Sequence, residues 1–156
     1  MQHSWRFGAV VVQHGYFERI IARNVFQRVE NFERALTNCL HLLQDGGILE
    51  LSVPLDLSYE AWAHIDDRRA FNDKTWARII DAWWQYDGWD AYRFEIVSTG
   101  YGVQAEYGVR YLNEHNSDWA GALLEPRVID AIHVTLRKRS LINDEKNQLP
   151  QQLFME

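Results

Sequence analysis

Phe17-Glu18-Arg19-Ile20-Ile21-Ala22 opens the stretch that decides the fold, and Ile48-Leu49-Glu50-Leu51-Ser52-Val53-Pro54 closes it. Both segments are short, apolar and rich in residues that suit a pleated, buried surface. Between them, Asn31 is placed to cap a helix by accepting a hydrogen bond from a free amide of its first turn. Phe32, Leu36, Cys39, Leu40 and Leu43 then recur at helical spacing and make one apolar face. Gly46-Gly47 stops that helix, because glycine enters the left-handed region without a Cβ clash. Pro54 ends the second strand by removing an amide donor. Strand, helix and strand in so short a span predict a right-handed parallel crossover.

Composition bounds the rest. A chain of 156 residues fits one domain, and at this length it buries roughly 70% of its unfolded surface. The 47% hydrophobic and 24% charged fractions describe a globular chain. A net charge of −6 disfavours broad electrostatic binding to nucleic acid or to an anionic membrane. Cys39 is the only cysteine, so no intrachain disulfide forms, which suits a reducing cytoplasm. No apolar run approaches the roughly 18 residues of a membrane span. No two histidines have metal-ligand spacing, and no metal site is expected.

Outward from the crossover, Gly8–Gln13 reads as a strand and His14-Gly15-Tyr16 as the turn that follows it. Leu55–Asn72 is a long connection over the carboxyl edge of the sheet, where open α/β folds carry their sites. Asn72 or Asp73 caps a further helix with the apolar stripe Trp76, Ile79, Ile80, Trp83 and Trp84, and Gly88 ends it. Trp83, Trp84, Trp89 and Tyr86 read as core with a covering aromatic. Tyr92–Val103 alternates as a strand. Gln104–Glu125 is a polar insertion with helix potential near Ser117–Leu124. Pro126–Lys138 is the last strand, and 140–156 reads as a polar tail after a domain over 1–139.

Three stretches carry a family resemblance. They are Ile20–Val25, Leu42-Leu43-Gln44-Asp45-Gly46-Gly47-Ile48-Leu49 with Val53-Pro54, and Pro126-Arg127-Val128-Ile129-Asp130 running into Val134-Thr135-Leu136-Arg137-Lys138. Together they resemble the second half of a class I S-adenosylmethionine-dependent methyltransferase domain of the type 11 kind. Pro54–Trp62 and Arg69–Asn72 resemble the loop after the fifth strand in a bacterial subfamily. That loop carries a histidine where this chain has Asp67. The resemblance implies an α/β fold: a partial Rossmann-like sheet of strands four to seven, with a parallel β-α-β unit and a C-terminal antiparallel hairpin. In the family the full strand order is 3-2-1-4-5-7-6.

The resemblance also implies a site. Arg23 and Asn24 follow the fourth strand, whose end lies beside the methionine portion of S-adenosylmethionine, so they become cofactor-binding candidates. The competing reading, which the residues themselves favour, is a polar strand exit feeding a helix cap. Asp56, Tyr59, Trp62, Asp67 and Arg69 become the substrate-pocket candidates, since a methyl acceptor needs positioning, desolvation and in some cases a base. The competing reading is a surface loop with Asp66-Asp67 and Arg68-Arg69 paired in solvent, where such pairs contribute little. The family's glycine-rich cofactor loop has no counterpart in Met1–Tyr16, which holds only Gly8 and Gly15 and no acidic residue. The chain is therefore expected to be a truncated methyltransferase-like domain, weakly active or inactive alone. The other reading is a non-catalytic association module, or half of a split enzyme, acting through an exposed sheet edge. Removing the first three strands leaves Phe17–Ala22 as that edge. The expected neighbour is a second copy of the chain, a complementary N-terminal polypeptide, or the chain's own Ala9–Gln13.

Overall fold

The computed structural model describes residues 5–7 and 10–147. A four-stranded sheet organises them. Its strands are β3 (Phe17–Arg23), β4 (Leu43–Pro54), β5 (Tyr92–Gly102) and β6 (Ala131–Ser140), and they lie in the order β3-β4-β6-β5. β3 and β4 are parallel, and β6 is antiparallel to both of its neighbours. This is the 4-5-7-6 half of the order that the resemblance implied. A separate antiparallel hairpin precedes it, β1 (Trp5–Phe7) with β2 (Val10–Val12). Gly8 and Ala9, part of the expected first strand, lie outside the described residues. The hairpin strands pair with each other and not with β3, so the expectation that Ala9–Gln13 folds back as the neighbour of Phe17–Ala22 is corrected. Among the described residues, the outer edge of β3 has no strand partner.

The crossover forms as its residues dictate. Helix α1 (Phe32–Leu42) begins at Asn31, whose side chain accepts from the Arg34 amide at 2.9 Å, a cap that contributes about 1 kcal/mol. Leu36 and Leu40 on its inner face are buried. The helix ends earlier than the glycine pair suggests. Leu43 already has extended backbone (φ −75, ψ 140) and starts β4 by pairing with Phe17. Gly46 does take the left-handed conformation (φ 77), inside the strand rather than at the helix end.

Strand pleating sorts the side chains to two faces. Ile20, Ala22, Leu49, Leu51, Val53, Ile132, Val134 and Leu136 share one face by register. They form the core with α1 and with α2 (Thr75–Asp81), which contributes Trp76 and Ile80. Trp83 and Trp89 are buried there as expected, and Trp84 is 41% exposed. The Lys74 side chain makes no cap for α2; instead, the Asn72 side-chain oxygen Oδ1 accepts from the Lys74 amide one residue before the helix. The opposite face carries Arg19, Ile21, Arg23, Glu50, Ser52, His133, Thr135, Arg137 and Glu95, all exposed or half-buried. Parallel sheets are ordinarily covered on both faces. Here the second face is open and crossed by the ion pairs Arg19–Glu50 and Arg137–Glu95.

The polar insertion folds as α3 (Glu106–Glu114) and α4 (Trp119–Ala122), longer in helix than its composition suggested. The stretch read as a tail contains α5 (Asn143–Lys146), where Leu141 and Glu145 are buried. Glu145 ties Arg93 of β5 to Arg139 of β6. Residues 148–156 lie outside the described residues.

Candidate functional site

The carboxyl ends of β3 and β4 meet the start of β6 at one edge of the sheet, and a cleft of about 200 Å³ opens there. Asn24, Gln27 and Arg28 line it from the segment after β3, Ser52 and Pro54 from β4, and Glu60 and His64 from the loop after β4. Gly102, Gln104, Asp130 and His133 complete it from the β5 and β6 side. The segment after β3 is anchored from below. Phe26 packs edge-on against Phe32 and Trp76, and Trp76 stacks on Phe71 at 5.3 Å between ring centroids. Those four rings make an apolar floor that fixes Gln27 and Arg28 above it.

Each lining group has a specific state. Asn24 takes the left-handed conformation (φ 52), which asparagine tolerates, and its amide extends the ladder to the Ser52 carbonyl at 2.8 Å. Gln27 is only 2% exposed, and its Oε1 has no hydrogen-bond partner among the described residues. Arg28 donates from Nε to Asp67 Oδ1 at 3.1 Å, and the His64 amide donates to Asp67 Oδ2 at 3.0 Å. Burial pushes the Asp67 carboxyl up, but those hydrogen bonds and the Arg28 charge outweigh it and hold the group below its ordinary range. Asp130 Oδ2 accepts from the amides of Gln104 and Ala105 at 2.5 and 3.1 Å.

The residues singled out in the sequence divide into groups. Asn24 lies in the cleft. Arg23 does not; it lies on the open face, in a shallower depression of about 160 Å³ with Ser52, His133 and Thr135. Ser52 and His133 border both hollows. Asp67 stands behind the cleft and orients Arg28. The Arg69 guanidinium is spent on the carbonyls of Phe26, Val29 and Glu30, and it lies over the Phe32 ring. It fastens the loop rather than facing a ligand. Tyr59 and Trp62 are both 60% exposed outside the cleft, and Tyr59 accepts from Arg127 at 2.8 Å. The Asp56 amide pairs with the Phe71 carbonyl, and Asp56 does not line the cleft. Gln27, Arg28, Glu60, His64, Gln104 and His133 were not foreseen as a group. Their common signal is position, since each lies at or just beyond a strand end on the carboxyl edge.

Searches with family models found no match, and no curated protein matches the chain. Solved structures do match. A protein assigned as an S-adenosylmethionine-dependent methyltransferase from Listeria monocytogenes superposes with a TM-score of 0.51 at 9% identity, over 84% of this chain and 65% of that one. The fold is methyltransferase-like. The [4+2]-cyclase SpnF aligns with a TM-score of 0.49 at 15% identity, over 81% of this chain and 51% of its own. An S-adenosylmethionine-dependent methyltransferase from Mesorhizobium loti aligns at 0.48 and 11%, over 80% and 62%. The chain thus spans between half and two thirds of the length of these structures. The methyltransferase-like sheet has its cleft at the carboxyl edge, where open α/β sheets bind ligands. Among the described residues, no group of three or more histidine, cysteine or carboxylate side chains is placed to hold a metal. No helix among them is long and apolar enough to cross a membrane.

Proposed function

We propose that this chain is the acceptor-side part of an S-adenosylmethionine-dependent methyltransferase-like domain, weakly active or inactive alone. One arrangement carries the reading: the strands reproduce the 4-5-7-6 half of the sheet, the polar cleft sits at its carboxyl edge, and the outer edge of β3 has no strand partner among the described residues. The residues present do not fit a whole S-adenosylmethionine. A cleft of about 200 Å³ falls short of the roughly 300–1,000 Å³ usual for small-molecule sites. In this reading Asn24 would border the donor, and a complementary polypeptide pairing along β3 would hold the remainder.

Calorimetric titration with S-adenosylhomocysteine tests it. The isolated chain is expected to show no micromolar binding, and binding is expected once a polypeptide carrying the glycine loop is added. Micromolar binding by the chain alone would overturn the reading.

A second reading has its own support, namely a non-catalytic module that associates through the β3 edge. The open face is polar and internally paired, through Arg19–Glu50 and Arg137–Glu95, rather than apolar as a face awaiting helices would be. Light scattering separates the cases. A stable homo-oligomer that never binds nucleoside favours the module.

A further inference from the structure

We propose that the carboxyl-edge cleft takes a small protonated amine. The proposal rests on the acceptor-side reading only in treating this cleft as the ligand site.

The cleft's charge balance points one way. Its lining includes two carboxylates, Glu60 and Asp130, and one arginine, Arg28. Arg28 is already neutralised by Asp67, whose side chain is fully buried against it. The Glu60 carboxylate has no hydrogen-bond or ion-pair partner among the described residues, while its main-chain carbonyl accepts from the Ala63 amide. Asp130 is held rigid by two backbone amides on Oδ2, and its Oδ1 has no partner among the described residues. The net field on a ligand is therefore negative, and it repels an anion.

An independent observation asks for the same chemistry. Gln27 lines the cleft at 2% exposure with its Oε1 unpartnered. A buried carbonyl oxygen without a donor is costly, and a ligand N–H relieves it. An ammonium carries three donors and no acceptor, which matches a lining of one orphaned carbonyl and two carboxylates. The imidazoles of His64 and His133 border the same space and place ring nitrogens beside the ligand. The volume of about 200 Å³ limits the ligand to a small molecule or the tip of a side chain.

The test uses the full chain without any methyl donor, so its outcome is independent of cofactor binding. n-Butylamine, n-butanol and butyrate are matched in shape and differ in charge. Followed by nuclear magnetic resonance at neutral pH, butylamine is expected to shift the Gln27 side-chain amide and the His64 and His133 rings saturably. Butanol and butyrate should bind at least tenfold more weakly. Glu60→Gln, on an exposed side chain, should weaken butylamine about tenfold while the thermal midpoint holds. Gln27→Leu should do the same, with its fold checked by circular dichroism. Equal or tighter binding of butanol or butyrate overturns the proposal. So does unaltered amine affinity in Glu60→Gln, or saturable shifts confined to other surfaces, or no saturable binding at all.

Discussion

Arg28 Nε reaches Asp67 Oδ1 at 3.1 Å, and the carboxylate is fully buried while the guanidinium lines the cleft. The pair links the turn after β3 to the loop after β4. It explains why an acid stands at position 67: a carboxylate there accepts from both Arg28 and the His64 amide. Asp67→Asn keeps the shape and removes the charge. It should cost on the order of 2 kcal/mol in urea unfolding, the scale of hydrogen bonds to a charged group. The freed Arg28 charge should also weaken amine binding in the cleft. An unchanged unfolding midpoint would show that Asp67 does not hold the loop.

Glu145 supplies a test by pH. Hydrogen bonds from Arg139 dominate, and with the Ile142 amide and the Arg139 and Arg93 charges they hold its carboxyl at about 2 against burial, from an ordinary 4.5. The folded value lies below the unfolded one. Its stabilisation is therefore complete above 4.5 and is lost as pH falls towards 2. Glu145→Gln should lower stability by on the order of 2 kcal/mol at neutral pH. The gap to the parent should close on acidification, read from urea midpoints at several pH values. A gap independent of pH would rule out the charged network as its source.

Gly108 shows packing overriding propensity. It sits inside α3, where alanine is favoured by roughly 1 kcal/mol. A Cβ there would lie 2.2 Å from the Val128 carbonyl oxygen and 2.7 Å from Val103 Cγ1. The first contact is backbone and cannot swing aside. Gly108→Ala should therefore destabilise by about 2 kcal/mol net, measured by thermal unfolding. A stabilised variant would mean that α3 does not press on residue 128.

These contacts mark how far the sequence could be read. The β3-α1-β4 unit was legible because Ile20, Ala22, Leu49, Leu51 and Val53 alternate and Leu36 and Leu40 follow helical spacing. All of these are local patterns. The order β3-β4-β6-β5 came from resemblance, not from periodicity, since strand pairing is non-local. The end of α1 was misplaced because Leu43 pairs with Phe17, and that partner pulls it into the strand ahead of the glycines. Site residues chosen by chemical type fared unevenly for the same reason. Arg69 looks free in the sequence, yet the carbonyls of residues 26, 29 and 30 claim it. Tyr59 is engaged by Arg127, 68 positions away. Gln27 gave no signal, because an orphaned carbonyl exists only once neighbours bury it.

Ile21 tests the seam. It is 54% exposed on the open face of the edge strand β3. Ile21→Lys should leave the isolated chain within about 0.5 kcal/mol of the parent, as for most surface changes. A charge at the edge blocks strand pairing, so the variant should lose self-association or capture of the complementing half by light scattering. Retained assembly would place the seam elsewhere.

Gly102 couples the cleft to its histidine without bearing on the fold. A Cβ at this position would lie 2.7 Å from His133 Nε2. Unlike the contact at Gly108, this one meets the far end of a side chain, which can rotate away. Gly102 lies at the end of β5 with no positive φ, so alanine adds no backbone strain and lowers the entropy of the unfolded chain. Gly102→Ala should therefore keep the thermal midpoint within a few degrees while displacing the His133 ring. Ring resonances of His133 should move, and those of His115, just past the end of α3, should not. If the amine sits against His133, its affinity should fall several-fold with stability intact. A large loss of stability would instead show that the ring is locked in place and that residue 102 must remain glycine for packing.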